Sequence, residues 1–327
     1  MSILVAGGAG YIGSNMAAVL ANEGFEPVVF DNLSKGHRSA IGDAVFVEGD
    51  LADYDLLLKT LKEYRVEAVM HFAALIEVAE SVREPLKYFR NNVCNTANLL
   101  SAMESAGVDK FVFSSSAAVY GMPEQPAVTE DWPKEPITPY GETKWAIEKM
   151  CRYQSLAQRL RYAALRYFNA CGAGNNCRLG EDHRPESHLI PLAIQTAMGK
   201  RDQIKIYGTD YPTPDGTCVR DYIHIEDLCR AHLLALKKLD TSREVIYNLG
   251  NGKGYSVKEV IEAVKKVSGK DFRVIAAERR AGDAPILVAD AARAVRELNW
   301  QPQFSDLEEI ISTAWQWHNQ YPNGYGG

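Results

Sequence analysis

Ile3-Leu4-Val5-Ala6-Gly7-Gly8-Ala9-Gly10-Tyr11-Ile12-Gly13 decides how this chain folds. The four apolar residues read as a short buried strand, the glycines as a tight turn, and residues 15–22 as the helix that follows. Each glycine has its own task in that reading. Gly7 permits the turn, Gly10 lets the backbone approach a pyrophosphate, and Gly13 lets the helix pack close to its strand. The helix N-terminus then presents free N–H groups and the positive end of its dipole to phosphate oxygens. A second strand at residues 27–30 ends in Asp31, eighteen positions after Gly13. An acid there hydrogen-bonds both ribose hydroxyls of NAD and repels the 2′-phosphate of NADP. A turn aspartate capping Ser34 is the weaker reading in that context. The expected cofactor is NAD.

Outward from this unit the alternation continues. Residues 44–47, 68–71 and 111–113 read as strands, and residues 53–64 and 86–106 as helices. Such a rhythm predicts an α/β fold, a doubly wound parallel sheet with helices on both faces. Ligands bind at the carboxyl ends of the strands in sheets of this kind. Gly49-Asp50-Leu51, Phe72-Ala73-Ala74 and Ser114-Ser115-Ser116 stand at those ends, small or hydroxylated enough to admit a ligand. A proline-rich segment (Pro123, Pro126, Pro133, Pro136, Pro139) excludes regular helix and delivers the chain to Tyr140. Tyr140 and Lys144 lie four residues apart at the start of a predicted helix, so both heads share one face. A neighbouring ammonium favours the phenolate, and a phenol tuned that way can take a proton from an alcohol. The Ser116 hydroxyl, one loop away, is placed to hold the same oxygen.

After a strand at residues 163–168 the composition turns to Gly, Asn, Glu and His. We place the domain boundary there, with residues 1–175 as a dinucleotide-binding domain and 176–327 as a smaller α+β domain. The helix at about 226–238 is a candidate to pack back on the first. The 327 residues are 46% hydrophobic, enough for a sizeable core, and a net charge of −6 without a basic cluster speaks against nucleic acid as a partner. No apolar run is long enough to cross a bilayer and no charged leader precedes residue 3, so a cytoplasmic protein with no membrane partner is expected. Six cysteines without a CxxC fit reduced thiols, and His183 and His188 lack HExxH spacing, so no metal is expected.

Taken together, GGAGYIGS, DNLSKG, HFAALIEVAESV, YFRNNV, FSSSAAVYG, TPYGETK, LRYFNACGA, YGTDYPTPDGTCVRDYIHIED and YNLGNGKGYSV make the chain resemble, over nearly its whole length, the UDP-glucose 4-epimerases of the extended short-chain dehydrogenase/reductase family. The resemblance implies an isomerase of galactose metabolism with a Rossmann domain. In it a held NAD takes hydride from C4 of the hexose and returns it to the other face, interconverting UDP-glucose and UDP-galactose. By position it implies Tyr140 as the base, Lys144 as the cation beside it and Ser116 as the hydroxyl partner. It implies cofactor contacts from Tyr11, Ile12, Asp31, Asn32, Ser34, Lys35, Asp50, Leu51, Phe72, Ala73, Ala74, Asn91 and Phe168. The UDP-sugar side would use Asn169, Leu189, the edge formed by Lys205, Ile206 and Tyr207, then Arg220, Arg280 and Asp283. Guanidinium forks suit a diphosphate. A homodimer through the long helix containing Leu99 and the Tyr140 helix is also implied.

Three positions depart from the family pattern. Ile76 stands where some members carry a lysine near the pyrophosphate, and His188 replaces an asparagine in the uridine diphosphate region. Leu287 occupies a position where a tyrosine in some members limits the pocket to glucose and galactose and a small residue in others admits N-acetylated sugars; its intermediate size leaves both ranges open. Two other readings remain. A 4,6-dehydratase or hexuronate enzyme of the same family is one, although dehydratases put an Asp-Glu pair where Ala117-Ala118 follows Ser116 here. A non-catalytic NAD sensor is the other, and it predicts a damaged Ser116, Tyr140, Lys144 set.

Overall fold

The computed structural model describes residues 1–123, 125, 127–280 and 282–326. Pro126 of the proline-rich segment lies outside them. The apolar run that opens the chain becomes β1 (Ser2–Ala6), buried along its whole length as a central parallel strand must be. It leads through the glycine turn into α1 (Tyr11–Asn22). The next elements are β2 (Glu26–Asp31), β3 (Val45–Glu48), α2 (Tyr54–Glu63) and β4 (Val66–His71). Asp53 caps α2 by accepting from Leu56 N at 3.0 Å, which satisfies one of the free amides of its first turn.

From residue 86 the pattern predicts a single helix to residue 106. The structure divides that stretch and its approach into α3 (Val78–Arg83), α4 (Pro85–Tyr88), a π-helical turn Phe89–Cys94, and α5 (Asn95–Ala106). In the wide turn Asn92 is buried. Its amide accepts from Leu75 N at 2.9 Å and donates to Leu75 O at 3.0 Å and Thr143 Oγ1 at 3.2 Å. A π turn inside a helix commonly marks such a demand on one side chain. Leu99 is fully buried in the core, so it cannot itself form the dimer contact expected of its helix.

β5 (Lys110–Ser116) runs through all three serines; β6 (Ala127–Val128), α6 (Pro139–Leu156), β7 (Arg161–Tyr167) and β8 (Asn169–Cys171) follow. The remaining chain gives α7 (Leu189–Ala197), β9 (Ile204–Tyr207), β10 (Val219–His224), α8 (Ile225–Lys238), β11 (Glu244–Leu249), β12 (Gly254–Ser256) and α9 (Val257–Ser268). β13 (Val274–Ala277), β14 (Ile286–Ala289), α10 (Ala292–Leu298) and α11 (Leu307–Gln320) complete it.

The main sheet has the order β11-β7-β5-β4-β1-β2-β3 with every pair parallel. α1 and α8 cover one face, and α2, α5 and α6 the other, each over its own apolar core. Strand order reverses between β1 and β4, which opens the crevice where ligands of such sheets lie. α8 does pack back on the first sheet, and β11 adds its edge strand. The second lobe holds β10 between β12 and β14, the pair β9 and β13, and a core shared by α7, α9 and α11.

One buried ion pair joins these layers. Arg166 on β7 donates from Nε to Glu148 Oε1 at 2.9 Å and from Nη2 to Glu148 Oε2 at 2.5 Å, and both side chains are 1% exposed. Nη1 donates to Tyr120 Oη at 2.8 Å and to Glu130 O at 3.1 Å. Burial works against the guanidinium charge, and the bonds to Glu148 outweigh it, so the Arg166 pKa lies above its usual value. Replacing Arg166 by Met leaves Glu148 buried and unpaired. We expect a loss of about 3–5 kcal/mol in urea unfolding, recovered in large part by adding Glu148→Leu. A single variant within about 1 kcal/mol of the parent would show that the pair is not essential.

Candidate active site

The glycine turn forms a cradle that only these residues allow. Gly7 has φ +77°, and a Cβ on it would stand 2.4 Å from Ala73 N; a Cβ on Gly13 would meet Gly7 O at 2.2 Å. The first strand end and the fourth therefore touch backbone to backbone at the crevice. Gly10 caps α1 with no side-chain bond to the first-turn amides, which leaves them for a ligand's oxygens. Tyr11 is buried and its phenol donates to Gly172 O at 2.7 Å, so of Tyr11 and half-buried Ile12 it is the backbone that faces the cradle. The space and the donors fit a dinucleotide pyrophosphate.

Around that cradle the predicted cofactor residues gather on the carboxyl edge. Asp31 accepts from Ala9 N at 3.0 Å and Leu33 N at 2.8 Å. Burial raises its pKa, and the Ala9 and Leu33 amides and His37 oppose the rise. Each oxygen keeps a lone pair for a ribose hydroxyl. Asn32 donates to Asp50 Oδ2 at 2.7 Å and accepts from Ser34 N at 3.0 Å, joining the second strand end to the third. Leu51 is buried beside Asp50, and Phe72 and Ala73 each donate to Ala6 O. Ala74 is half-buried, and Asn91 donates to Asn92 Oδ1 at 2.9 Å. Lys35 lies further out, bonded to Glu77 at 3.2 Å and Arg184 O at 3.3 Å.

Tyr140 and Lys144 stand in the first turns of α6. Thr138 caps the helix by accepting from Gly141 N at 3.2 Å, and Pro139 suits its first position. Lys144 is buried, donates to Ser114 O at 2.8 Å, and sits 5.8 Å from the Tyr140 ring centroid. Among the described residues no carboxylate pairs with it, since Glu148 one turn on is held by Arg166. Ser116 accepts from Ala118 N at 3.1 Å and offers the Tyr140 phenol a hydrogen bond. Tyr167 hydrogen-bonds Ser114 alongside.

The electrostatics correct one expectation. The sequence predicts that Lys144 lowers the Tyr140 pKa, yet burial raises the phenol above its usual value and the Ser116 bond only tempers this. Burial also brings Lys144 down to about 7 against a weak pull from Glu148. In this dry corner each group's desolvation exceeds what the other supplies, because the ammonium lies over the ring face and bonds a carbonyl instead of the phenol oxygen. Lys144 in turn adds to the burial that pushes His71 down to about 3. His71 and His224 are packed core residues, bonded to Thr96 and Thr313 respectively.

On the second lobe, Asn169 donates to Asp221 O at 2.8 Å and Leu189 opens α7. Lys205 and Tyr207 face outward from β9, whereas Ile206 is 6% exposed and points into the core. Strand alternation is the reason, and it leaves Ile206 only its backbone to offer a ligand. Arg280 stacks over the Tyr207 ring at 3.8 Å. Arg220 donates to Ala284 O at 2.7 Å and stands 3.4 Å from Asp283 Oδ1. It is the register partner of Leu287, and Leu287 packs with Phe168 in one small apolar cluster.

Sequence reasoning missed Asn92, Thr143, Glu148, Arg166 and Tyr167. The available signal was spacing: Glu148 follows Lys144 by four residues on the same helix face, where a free acid would have cancelled the lysine charge.

A doubly wound sheet, a glycine cradle at its switch point and a Ser/Tyr/Lys set on its carboxyl edge define a dinucleotide-binding protein of the short-chain dehydrogenase/reductase kind. Residues 3–250 match the model of the NAD dependent epimerase/dehydratase family, and the chain belongs to that family. It is similar to a curated UDP-glucose 4-epimerase of Halalkalibacterium halodurans, 48% identical over 99% of this chain and 98% of that one. Among solved structures it is similar to the Brucella ovis UDP-glucose 4-epimerase in complex with NAD (TM-score 0.94, 47% identity, 97% of this chain and 98% of that one). It is similar as well to the UDP-Glc/GlcNAc 4-epimerase of Campylobacter jejuni (TM-score 0.85, 46% identity, 98% and 99%).

The desolvated lysine makes stability depend on pH. An unfolded lysine titrates near about 10.4 and the folded Lys144 near about 7, so the unfolded chain binds the extra proton between those values and stability rises with pH across that window. Lys144→Met is therefore expected to be more stable than the parent at pH 6, by about 2–4 kcal/mol, with the gain fading toward pH 10. Paired thermal melts at the two pH values check this, and a variant less stable at pH 6 contradicts it.

Proposed function

We propose that this chain interconverts UDP-glucose and UDP-galactose with a held NAD, as an isomerase that leaves no net oxidation. The observation that carries the reading is the meeting of Tyr140, Lys144 and Ser116 with the glycine cradle on one sheet edge, in a chain nearly half identical to curated epimerases over its whole length. NAD would lie on the cradle with its ribose at Asp31, and it supplies a reversible acceptor for the C4 hydrogen and a cationic ring that offsets the phenol's burial. Tyr140 takes the C4 hydroxyl proton and gives it back. Ser116 holds that oxygen in line, and Lys144 keeps the cofactor ribose and the phenol in register. Arg220 and Arg280 hold the diphosphate, with Asp283 accepting from the uridine ribose. Residues 1–175 form the cofactor domain and 176–327 the sugar-nucleotide domain, with α8 and β11 lent back to the first.

Ala117-Ala118 after Ser116 leaves no acid for C5 and C6 chemistry, which favours epimerisation over dehydration. The dual-specificity relative from Campylobacter jejuni supports acceptance of N-acetylated sugars, and Leu287 is the residue we assign to that choice. Among the described residues no helix is long and apolar enough to cross a membrane, and we place the protein in the cytoplasm.

One assay tests the reading. Purified protein should convert UDP-galactose to UDP-glucose without added reductant. Tyr140→Phe should keep NAD but lose about 10²–10⁴-fold in kcat, the usual worth of a positioned base. Leu287→Tyr should spare this conversion and remove that of UDP-N-acetylglucosamine. No conversion by folded, NAD-loaded protein would refute the function, and normal kcat in Tyr140→Phe the base.

We also propose a homodimer built on the outer faces of α4 and α6, where Leu86, Tyr153 and Leu156 are more than 60% exposed. Large apolar side chains left this exposed favour association. Sedimentation should give twice the chain mass, and Tyr153→Lys with Leu156→Lys should give the monomer; a monomeric parent removes the proposal.

A further inference from the structure

His183 and His188 match no zinc signature by spacing, and the sequence reads them as polar loop residues. The fold supplies what the spacing hides. Residues 181–188 curl so that Glu181, His183, Glu186 and His188 each turn one donor atom toward a common centre, all within 4.8 Å of one another. Glu181 Oε1 lies 2.7 Å from His188 Nδ1 and 3.1 Å from His183 Nδ1. Glu186 stands 3.2 Å from His188 Nδ1 and 3.9 Å from His183 Nδ1 through its two oxygens.

We propose that these four side chains form a structural site for one divalent transition-metal ion, with zinc as the matching ion. Two imidazole nitrogens and two carboxylate oxygens are the donor types zinc takes, in the number a closed tetrahedral site needs. Tetrahedral bonds of about 2.0–2.1 Å set the donor atoms about 3.3 Å apart, within the spread seen here. Charge points the same way. The two carboxylates have only 5% and 3% of their side-chain surface exposed, and a divalent cation would supply the opposite charge that buried carboxylates need. Four protein donors leave no open position, so the ion takes no part in turnover.

The location gives the ion its task. His183 meets the Tyr11 ring edge-on, with centroids 6.5 Å apart, and Tyr11 opens the cradle helix α1. His188 immediately precedes Leu189, the first residue of α7 in the second lobe. Asp182, between the ligands, faces His37 and accepts from Tyr325 N at 3.0 Å. A metal here pins the start of α7 to the cradle and the C-terminal segment, tying the two walls of the crevice together.

The test uses the full chain, stripped with chelator and returned to zinc in competition with a chromophoric chelator. The expected result is one zinc per chain, a raised Tm on binding, and about 100-fold or greater loss of affinity in His183→Ala with His188→Ala. Cobalt in place of zinc should give the visible bands of a four-coordinate nitrogen and oxygen site without thiolate charge transfer, a readout that needs no variant. Glu181→Gln, with the charge removed and the shape kept, should weaken binding in the same assay should the double variant fail to fold. Absence of saturable binding, a full equivalent of zinc retained in the histidine or Glu181 variants, or a thiolate band at the nearby Cys171 or Cys177 would each overturn the site.

Discussion

The pairing of Arg166 with Glu148 is the constraint on which the active edge depends. Glu148 belongs to the helix that carries Tyr140 and Lys144, and Arg166 belongs to the strand that leads into Phe168 and Asn169. Ser115, next to Ser116, donates to the same carboxylate, and Tyr120, bonded to Arg166, donates in turn to Asn248 on the edge strand. One network therefore sets the distance between helix, strand and serine. A satisfied network of this kind fixes one arrangement, and a partly satisfied one destabilises it.

The same network explains why the lysine can remain uncommitted. An acid one turn beyond Lys144 would ordinarily neutralise it. Because Arg166 occupies both oxygens of Glu148, the ammonium bonds only a carbonyl, and its remaining donors are free for a ligand. Burial moves the lysine and the phenol pKa values apart, the lysine falling to about 7 and the phenol rising, because it disfavours the charged form of each. A cationic ring bound beside Tyr140 would favour its phenolate and so oppose the burial that raises it.

The parallel sheet, the cradle and the Tyr140 helix were legible in the sequence because each rests on local rules: an apolar run, glycines at fixed offsets, a proline-rich approach and a spacing of four. What was not legible depends on contacts across the chain. Asn92 widens its helix because of Leu75 and Thr143, and no local pattern announces that. Ile206 reads as part of an exposed edge until strand alternation assigns it to the core. The lysine's effect on Tyr140 follows from proximity in the sequence, but the size of the desolvation follows only from packing. Glu181 and Glu186 join two histidines as neighbours only after the loop has turned.

The chemistry and the sugar choice we propose fall in different parts of this molecule, and packing connects them. Tyr140, the base we propose, stands on α6 of the first lobe. Leu287 sits on β14 of the second, yet shares an apolar cluster with Phe168, which follows the strand of Arg166. Arg220 pairs with Leu287 in the register, so the residue we propose to select the sugar neighbours one we propose to hold its diphosphate. Leu287 makes no hydrogen bond to the Arg166 network but packs against the same apolar cluster as Tyr120, one of its members, so a substitution there reaches the Ser116 edge through packing alone.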